Sequence, residues 1–273
     1  MKVTKFVESA FPLTSAPLIQ CITNEVTCES VANALLYVGA KPIMADDPRE
    51  FKSFLNVSDG LLLNLGHISP TREQNIILAA EYAHEIDVPI VVDLVGAAAS
   101  PLRIEITKRL LKNQPTVVKG NISEMRSLCE LGSEARGVDV NVSEQTLESL
   151  KELQNGMIKL TDKYPEIVFF ATGEKDLVCQ NGTCFLLSNG VAELDCFTGT
   201  GDIVGALCCA LLGEGLSPVK ASVTAITYFN LAGEVAKLKT KGLANFRQGT
   251  LNQLSLLFED SKWLEKAKGE VFK

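Results

Sequence analysis

Short, mostly apolar runs recur along the first two thirds of the chain, separated by segments whose apolar residues return every three or four positions. The runs fall at 17–23, 40–44, 60–65, 88–93, 116–119 and 167–171. Apolarity on nearly every residue, rather than on alternate ones, suits strands covered on both faces of a parallel sheet. Between the runs, the segment 73–86 places Ile76, Ile77, Ala80, Ala83 and His84 on one helical stripe. Segments 102–111 and 144–160 also read as helices. This alternation predicts an α/β fold whose parallel strands are joined by right-handed helical crossovers. Segment 177–187 breaks the rhythm, because Asn181-Gly182 separates two short apolar runs and predicts a hairpin. The carboxyl third turns helical, with candidates at 202–212, 218–239 and 246–258. No linker rich in Pro, Gly or Ser and no internal repeat interrupts the pattern, so residues 1–273 read as a single domain.

Composition narrows the function more than the fold. Hydrophobic residues make up 46% and charged residues 22%, the balance of a chain able to bury a core rather than a disordered one. Lys plus Arg number 26 against 33 for Asp plus Glu, a net charge of −7. That excess argues against nucleic acid and against an anionic membrane surface as partners. Eight cysteines stand at 21, 28, 129, 179, 184, 196, 208 and 209, none in a Cys-x-x-Cys pair, and His67 and His84 lie far from any two of them. Such spacing offers no metal knot or redox couple, so the thiols are expected to stay reduced and act as small hydrophobes. The opening Met1 to Phe6 does not begin an apolar signal core, and the longest apolar stretch, 203–212, is too short to span a bilayer. A cytoplasmic protein is expected. The Asn-x-Ser/Thr matches at Asn56, Asn121, Asn141 and Asn181 then carry no weight.

In an open α/β sheet, ligands collect beyond the carboxyl ends of the strands. The residues there are Asn24, Asn64-Leu65-Gly66, Asp93, Lys119-Gly120-Asn121 with Glu124, Thr172-Gly173-Glu174, and Thr198-Gly199-Thr200-Gly201-Asp202. The last turn leads into the apolar segment 203–212, whose helix would aim unpaired N–H groups and a positive dipole end at it, which reads equally as a cradle for a phosphoryl group or as a plain helix entry with an Asp favoured by the dipole. Neither the Walker pattern nor the dinucleotide fingerprint is present, since Gly205 falls one place too late. Asp202 carries a side-chain carboxyl at the position from which it would take a proton from an attacking alcohol. Asp93 and Glu124 offer the hard oxygen donors that suit Mg²⁺ held partly through water. Glu124 has a second reading, because Asn121-Ile122-Ser123-Glu124 also spells a helix capping box. Asp93 likewise could be a polar strand exit. Without a nucleophile elbow and with two isolated histidines, phosphoryl transfer is the chemistry that remains.

Cys21-Ile22-Thr23-Asn24, Gly39 through Ala45 (GAKPIMA), Asn64-Leu65-Gly66, Asp93-Leu94-Val95-Gly96, Lys119 through Glu124 (KGNISE), Thr172-Gly173-Glu174 and Gly199-Thr200-Gly201-Asp202 occur in this order. Over roughly residues 17–239 this series resembles the hydroxyethylthiazole kinases of the ribokinase-like superfamily. The resemblance implies a three-layer sandwich with a mostly parallel central sheet and helices on both faces. It implies phosphorylation by ATP, with Mg²⁺, of the primary hydroxyl of 4-methyl-5-(2-hydroxyethyl)thiazole, in thiamine salvage. It further implies a homotrimer with sites at subunit interfaces. By motif position, Met44 and Gly199, with Asn24 and Gly66, fall on the substrate side. Lys119 and Thr172 fall on the ATP side, Asp93 and Glu124 on the metal. The turn Gly199, Thr200, Gly201 and Asp202 is implied to be catalytic. Four positions depart from the family's habit: Leu94 stands in place of Pro, His67 of Thr, Lys119 of Arg, and Asp202 of a frequent Cys. Alternatives sharing the turn are a nucleotide-dependent dehydratase that repairs hydrated NAD(P)H, a kinase for another alcohol such as hydroxymethylpyrimidine, and a non-catalytic thiazole or nucleotide binder.

Overall fold

The structure, a computed structural model, describes residues 2–131 and 147–272. Its strands are β1 (Leu18–Ile22), β2 (Lys41–Ile43), β3 (Gly60–Asn64), β4 (Ile90–Asp93), β5 (Val117–Asn121), β6 (Val168–Thr172), β7 (Asp176–Gln180), β8 (Thr183–Leu187) and β9 (Gly269–Phe272). They form one sheet in the order β2-β1-β3-β4-β5-β6-β7-β8-β9. Strands β1 to β6 pair in parallel, and β6 to β9 pair antiparallel.

Alternation along each strand divides the apolar side chains between two cores. Leu62, Val91, Val117 and Phe170 enter one; Leu61, Leu63, Ile90, Val92, Val118 and Phe169 enter the other. The first core is closed by α1 (Cys28–Tyr37), α7 (Thr200–Gly213), α8 (Pro218–Lys239) and α9 (Leu243–Gln253). The second is closed by α2 (Phe51–Leu55), α3 (Pro70–Glu85), α4 (Pro101–Leu110), α5 (Ile122–Leu128) and α6 (Leu147–Lys163). The result is the expected three-layer α/β sandwich. Central helix α7 is buried nearly all round, which explains why its segment reads as continuously apolar rather than striped.

The expected elements form with shifts of a few residues at their ends. Residues 144–146 of the helix expected over 144–160, and the Asn141 match, lie outside the described residues. His84 is exposed rather than on the buried stripe of α3. Sequence patterning passed over α1, although Val31, Ala34 and Leu35 mark its buried face. It also missed α2, too short to show a period, and the edge strand β9. No helix among the described residues is long and apolar enough to cross a membrane.

One expectation about the cysteines is corrected. The Asn181-Gly182 turn sets a register in which Cys179 and Cys184 lie directly opposite, with Cα atoms 4.2 Å apart, and they are joined as a disulfide. The pairing follows from hairpin register rather than from any spacing motif, which is why the sequence did not show it. The other six cysteines are free thiols.

Candidate active site

Register places the polar chemistry. Asn64 of β3 pairs with Asp93 of β4, and Asp93 pairs with Lys119 of β5, so the three form a row across adjacent strands. Each sits two residues beyond a residue of the α7-side core: Leu62, Val91 and Val117. The twofold period of a strand therefore turns all three toward α7. All three are buried. Lys119 Nζ lies 3.0 Å from Asp93 Oδ2.

Helix α7 can cover this ion pair because its near face is glycine. A Cβ on Gly201 would stand 3.3 Å from Lys119 Nζ, and one on Gly205 would stand 3.5 Å from Asp93 Oδ2. The buried ammonium thus lies directly against the first turn of α7, where the positive end of the helix dipole already points. Burial works against the Lys119 charge, but the carboxylates of Asp93, Asp202 and Glu124 outweigh it and hold its pKa above the ordinary lysine value. For Asp93, burial pushes the carboxyl up and the nearby Asp202 charge adds to this, while Lys119 pulls it back.

The turn ahead of α7 requires glycine at position 199. Gly199 has φ +99°, in the left-handed region, and a Cβ there would also meet Thr27 Cγ2 at 2.8 Å. Asp202 follows in the first turn of α7, and its carboxylate is held from three sides. Asn64 Nδ2 donates to Oδ1 at 2.9 Å. Asn24 Nδ2 donates to Oδ2 at 2.9 Å, and the Thr27 hydroxyl donates to the same oxygen. Asn24 reaches the carboxylate from the end of β1, and its own Oδ1 accepts the Thr27 N–H at 3.1 Å. The Gly66 N–H donates to Asn64 Oδ1 at 2.8 Å, fixing which way that amide faces.

Glu124 fulfils its capping-box reading. Asn121 Oδ1 accepts the Glu124 N–H, and Glu124 Oε2 accepts the Asn121 N–H at 2.7 Å. Its other oxygen accepts the Gly96 N–H at 2.6 Å, tying α5 to the loop after β4. Burial, joined by the nearby Asp93 charge, pushes the Glu124 pKa up to about 7 against those two amides and Lys119. Arg103 straps the rim: it donates to the Val95 carbonyl at 2.7 Å and the Gly66 carbonyl at 3.2 Å.

The expected site residues therefore separate into groups. Asn24, Asp93, Lys119, Gly199, Gly201 and Asp202 cluster around the amino end of α7, with Thr200 in the same turn, and Gly66 joins them through Asn64. Glu124 is linked to the cluster electrostatically. Met44 lies in the loop after β2, half-buried against the α7-side core. Thr172 ends β6, where its hydroxyl lies 3.4 Å from the Gly120 carbonyl, and no hydrogen bond joins it to Asp202. Asn64 stands at a strand end in the sequence, where nothing local marks it as a partner of Asp202. Thr27 and Arg103 were missed, because a Thr ahead of a helix and an Arg on one look ordinary in a sequence. Among the described residues no three His, Cys, Asp or Glu side chains converge as a ready-made metal cage.

Comparison with known proteins identifies the family and the fold. The family model described as the hydroxyethylthiazole kinase family matches residues 13–260. A hydroxyethylthiazole kinase from Enterococcus faecalis is 56% identical over 271 residues, covering 99% of this chain and 100% of its own length. The solved structure of a hydroxyethylthiazole kinase from Pyrococcus horikoshii superposes with a TM-score of 0.85 at 26% identity, covering 99% of each chain. A ribokinase-like superfamily protein from Enterococcus faecalis shares the fold alone, with a TM-score of 0.63 at 13% identity over 90% of this chain and 87% of its own. A glycine turn at the amino end of α7 with a carboxylate held beside it is the setting, and a family match over residues 13–260 with a relative 56% identical over nearly its whole length makes the assignment: this chain belongs to the hydroxyethylthiazole kinase family.

Proposed function

We propose that the protein transfers the γ-phosphoryl group of ATP to the primary hydroxyl of 4-methyl-5-(2-hydroxyethyl)thiazole, a thiamine-salvage reaction in the cytoplasm, with Asp202 as general base. The observation that carries this reading is the Asp202 carboxylate, fastened by Asn24, Thr27 and Asn64 at the first turn of α7 beside buried Lys119. As the alcohol oxygen bonds to the γ-phosphorus, its proton passes to Asp202 and the bond to the β–γ bridging oxygen breaks, releasing ADP. The first amides of α7, around Gly199, Thr200 and Gly201, hold the phosphoryl oxygens while charge shifts among them. Lys119 adds its charge beneath the same turn. Met44, Asn24 and Gly66 are assigned to the thiazole side, Asn24 through its hold on Asp202, and Lys119 and Thr172 to ATP.

The donor chemistry at Asp93 and Glu124 fits Mg²⁺. These two buried carboxylates oppose each other electrostatically, and a divalent cation relieves that opposition. Glu124 already accepts two backbone N–H bonds, so it would hold the ion through water. Bound there, Mg²⁺ would screen the phosphate charges. A homotrimer with sites at subunit interfaces remains part of the proposal, and sedimentation equilibrium gives its mass directly.

The family match weighs against the dehydratase, pyrimidine-alcohol and non-catalytic alternatives. ADP release measured across thiazole, pyrimidine and sugar alcohols, with Asp202→Asn in parallel, is the deciding experiment. Thiazole-dependent ADP release that falls about 10²–10⁴-fold in Asp202→Asn, with ATP binding retained, is expected. Parent-like turnover by Asp202→Asn overturns the base assignment, and a preference for another alcohol overturns the substrate.

A further inference from the structure

Thr27 stands at the position that normally caps a helix, directly ahead of α1. A threonine there ordinarily accepts a bond from an early amide of its own helix. This one does not, since no side-chain hydrogen bond caps α1. Its hydroxyl turns away and donates to Asp202 Oδ2, across 175 residues of sequence. Its methyl fills the space that a side chain at Gly199 would need. One residue thus braces both the phosphoryl turn and the carboxylate that follows it, at the expense of its own helix.

A carboxylate has about four lone-pair sites, two on each oxygen. Among the described residues, Asn24 and Thr27 occupy both sites on Oδ2, and Asn64 occupies one on Oδ1. We propose that Thr27 is a positioning residue for the base, closing Oδ2 so that the remaining site on Oδ1 is the one that receives the substrate proton. This rests on the reading of Asp202 as the base and adds the accepting atom and the residue that selects it. In the step, the alcohol O–H bond breaks and an O–H bond forms on Asp202 Oδ1. The electron pair left on the alcohol oxygen bonds to the γ-phosphorus, and the bridging oxygen leaves with ADP.

The Thr27 hydroxyl also suits the product of that step. It carries one proton and has two acceptors in reach, Asp202 Oδ2 and, at 3.1 Å, Asn24 Oδ1. The charged carboxylate is the stronger acceptor before transfer. Once Asp202 holds a proton, rotation of the hydroxyl hydrogen toward Asn24 keeps the bond count without moving a heavy atom.

The test is steady-state kinetics with ATP and the thiazole alcohol on Thr27→Val, Thr27→Ser, Asp202→Asn and the Thr27→Val/Asp202→Asn double variant. Thr27→Val keeps the shape and loses the donor, so kcat should fall about 10- to 100-fold while KM for ATP stays within about twofold. Thr27→Ser restores the donor without the methyl and should recover kcat to within about threefold of the parent. The double variant should be no slower than Asp202→Asn alone, because the effect runs through that carboxylate. Parent-like kcat in Thr27→Val overturns the proposal. So does equal loss in Thr27→Ser and Thr27→Val, which would make methyl packing on Gly199 the cause, or further loss in the double variant. If Asp202→Asn itself turns over normally, the underlying base reading fails instead. Should Thr27→Val not fold, judged by thermal melting, Thr27→Ala replaces it under the same criteria.

Discussion

Two buried polar clusters lie at the same edge of the sheet, one built on its parallel strands and one on its antiparallel strands. The first surrounds Asp202, with donors from the ends of β1 and β3, the amino end of α7 above it and the Lys119–Asp93 pair against that turn. The second surrounds Asp176, which opens β7. There Gly173 N–H and Asn230 Nδ2 donate to the carboxylate, Asn230 also bonds the Asn189 carbonyl after β8, and Asn189 bonds Glu234. Asn230 and Glu234 come from within α8, well past its amino terminus at Pro218. Among the described residues no cation forms an ion pair with Asp176, and burial pushes its pKa up to about 7 despite its two donors and the charge of Lys119. Parallel strands all deliver their carboxyl ends, and the loops that follow, to one edge. Antiparallel strands deliver only every second one, and the polar groups there brace turns instead.

The sharpest way to break the comparison is to neutralise both aspartates. Asp202→Asn is expected to lose about 10²–10⁴ in kcat. Asp176→Asn should keep kcat within about threefold, since its hydrogen-bond donors are Gly173 and Asn230 and none of its bonds reaches α7. Equal losses in the same assay would erase the distinction. Next in size is Lys119→Met, which leaves Asp93 buried without its ion-pair partner and should cost about 3–5 kcal/mol in urea unfolding. Adding Asp93→Leu should recover most of that stability but no activity, separating the pair's structural cost from its chemistry.

Gly199→Ala comes third. It forces a Cβ into the left-handed region and against Thr27, at about 1–3 kcal/mol, visible as a lowered melting temperature. The smallest effect concerns pH. Asp176 and Glu124, with ordinary values of 3.8 and 4.5, are both raised to about 7, so the folded chain binds their protons more tightly than the unfolded chain. Their contribution to stability is therefore fully present below about pH 4 and is lost as the pH rises to about 7. In metal-free buffer, Asp176→Asn should flatten that decline by at most about 1.4 kcal/mol per pH unit. An unchanged slope between pH 5 and 7 would show that Asp176 does not carry it.

Much of this was legible before folding is considered. The apolar runs gave β1 to β6 within a few residues, Asn181-Gly182 gave the β7–β8 hairpin, and the Asn121–Glu124 capping box formed as spelled. Asp202 and the glycine turn ahead of it were identifiable as a helix entry because that feature is local in sequence. Asn64, Asp93 and Lys119 were each visible at a strand end, but their common row was not, because register between strands 26 or more residues apart is set by packing. The Cys179–Cys184 bond was missed for a related reason: hairpin register, not residue spacing, brings the two together.

The sequence by itself determined the periodicity, hence the elements and the two apolar cores, and the local motifs that begin helices α5 and α7. Tertiary structure alone decided which groups meet. It took Thr27 from its helix and gave it to Asp202, laid the glycine face of α7 over Lys119 and Asp93, and bonded Asp176 to Gly173 and Asn230 instead. Propensity and hydrophobic pattern act over a few residues along the chain, whereas a hydrogen bond between residues 27 and 202 exists only once the sheet and α7 have packed.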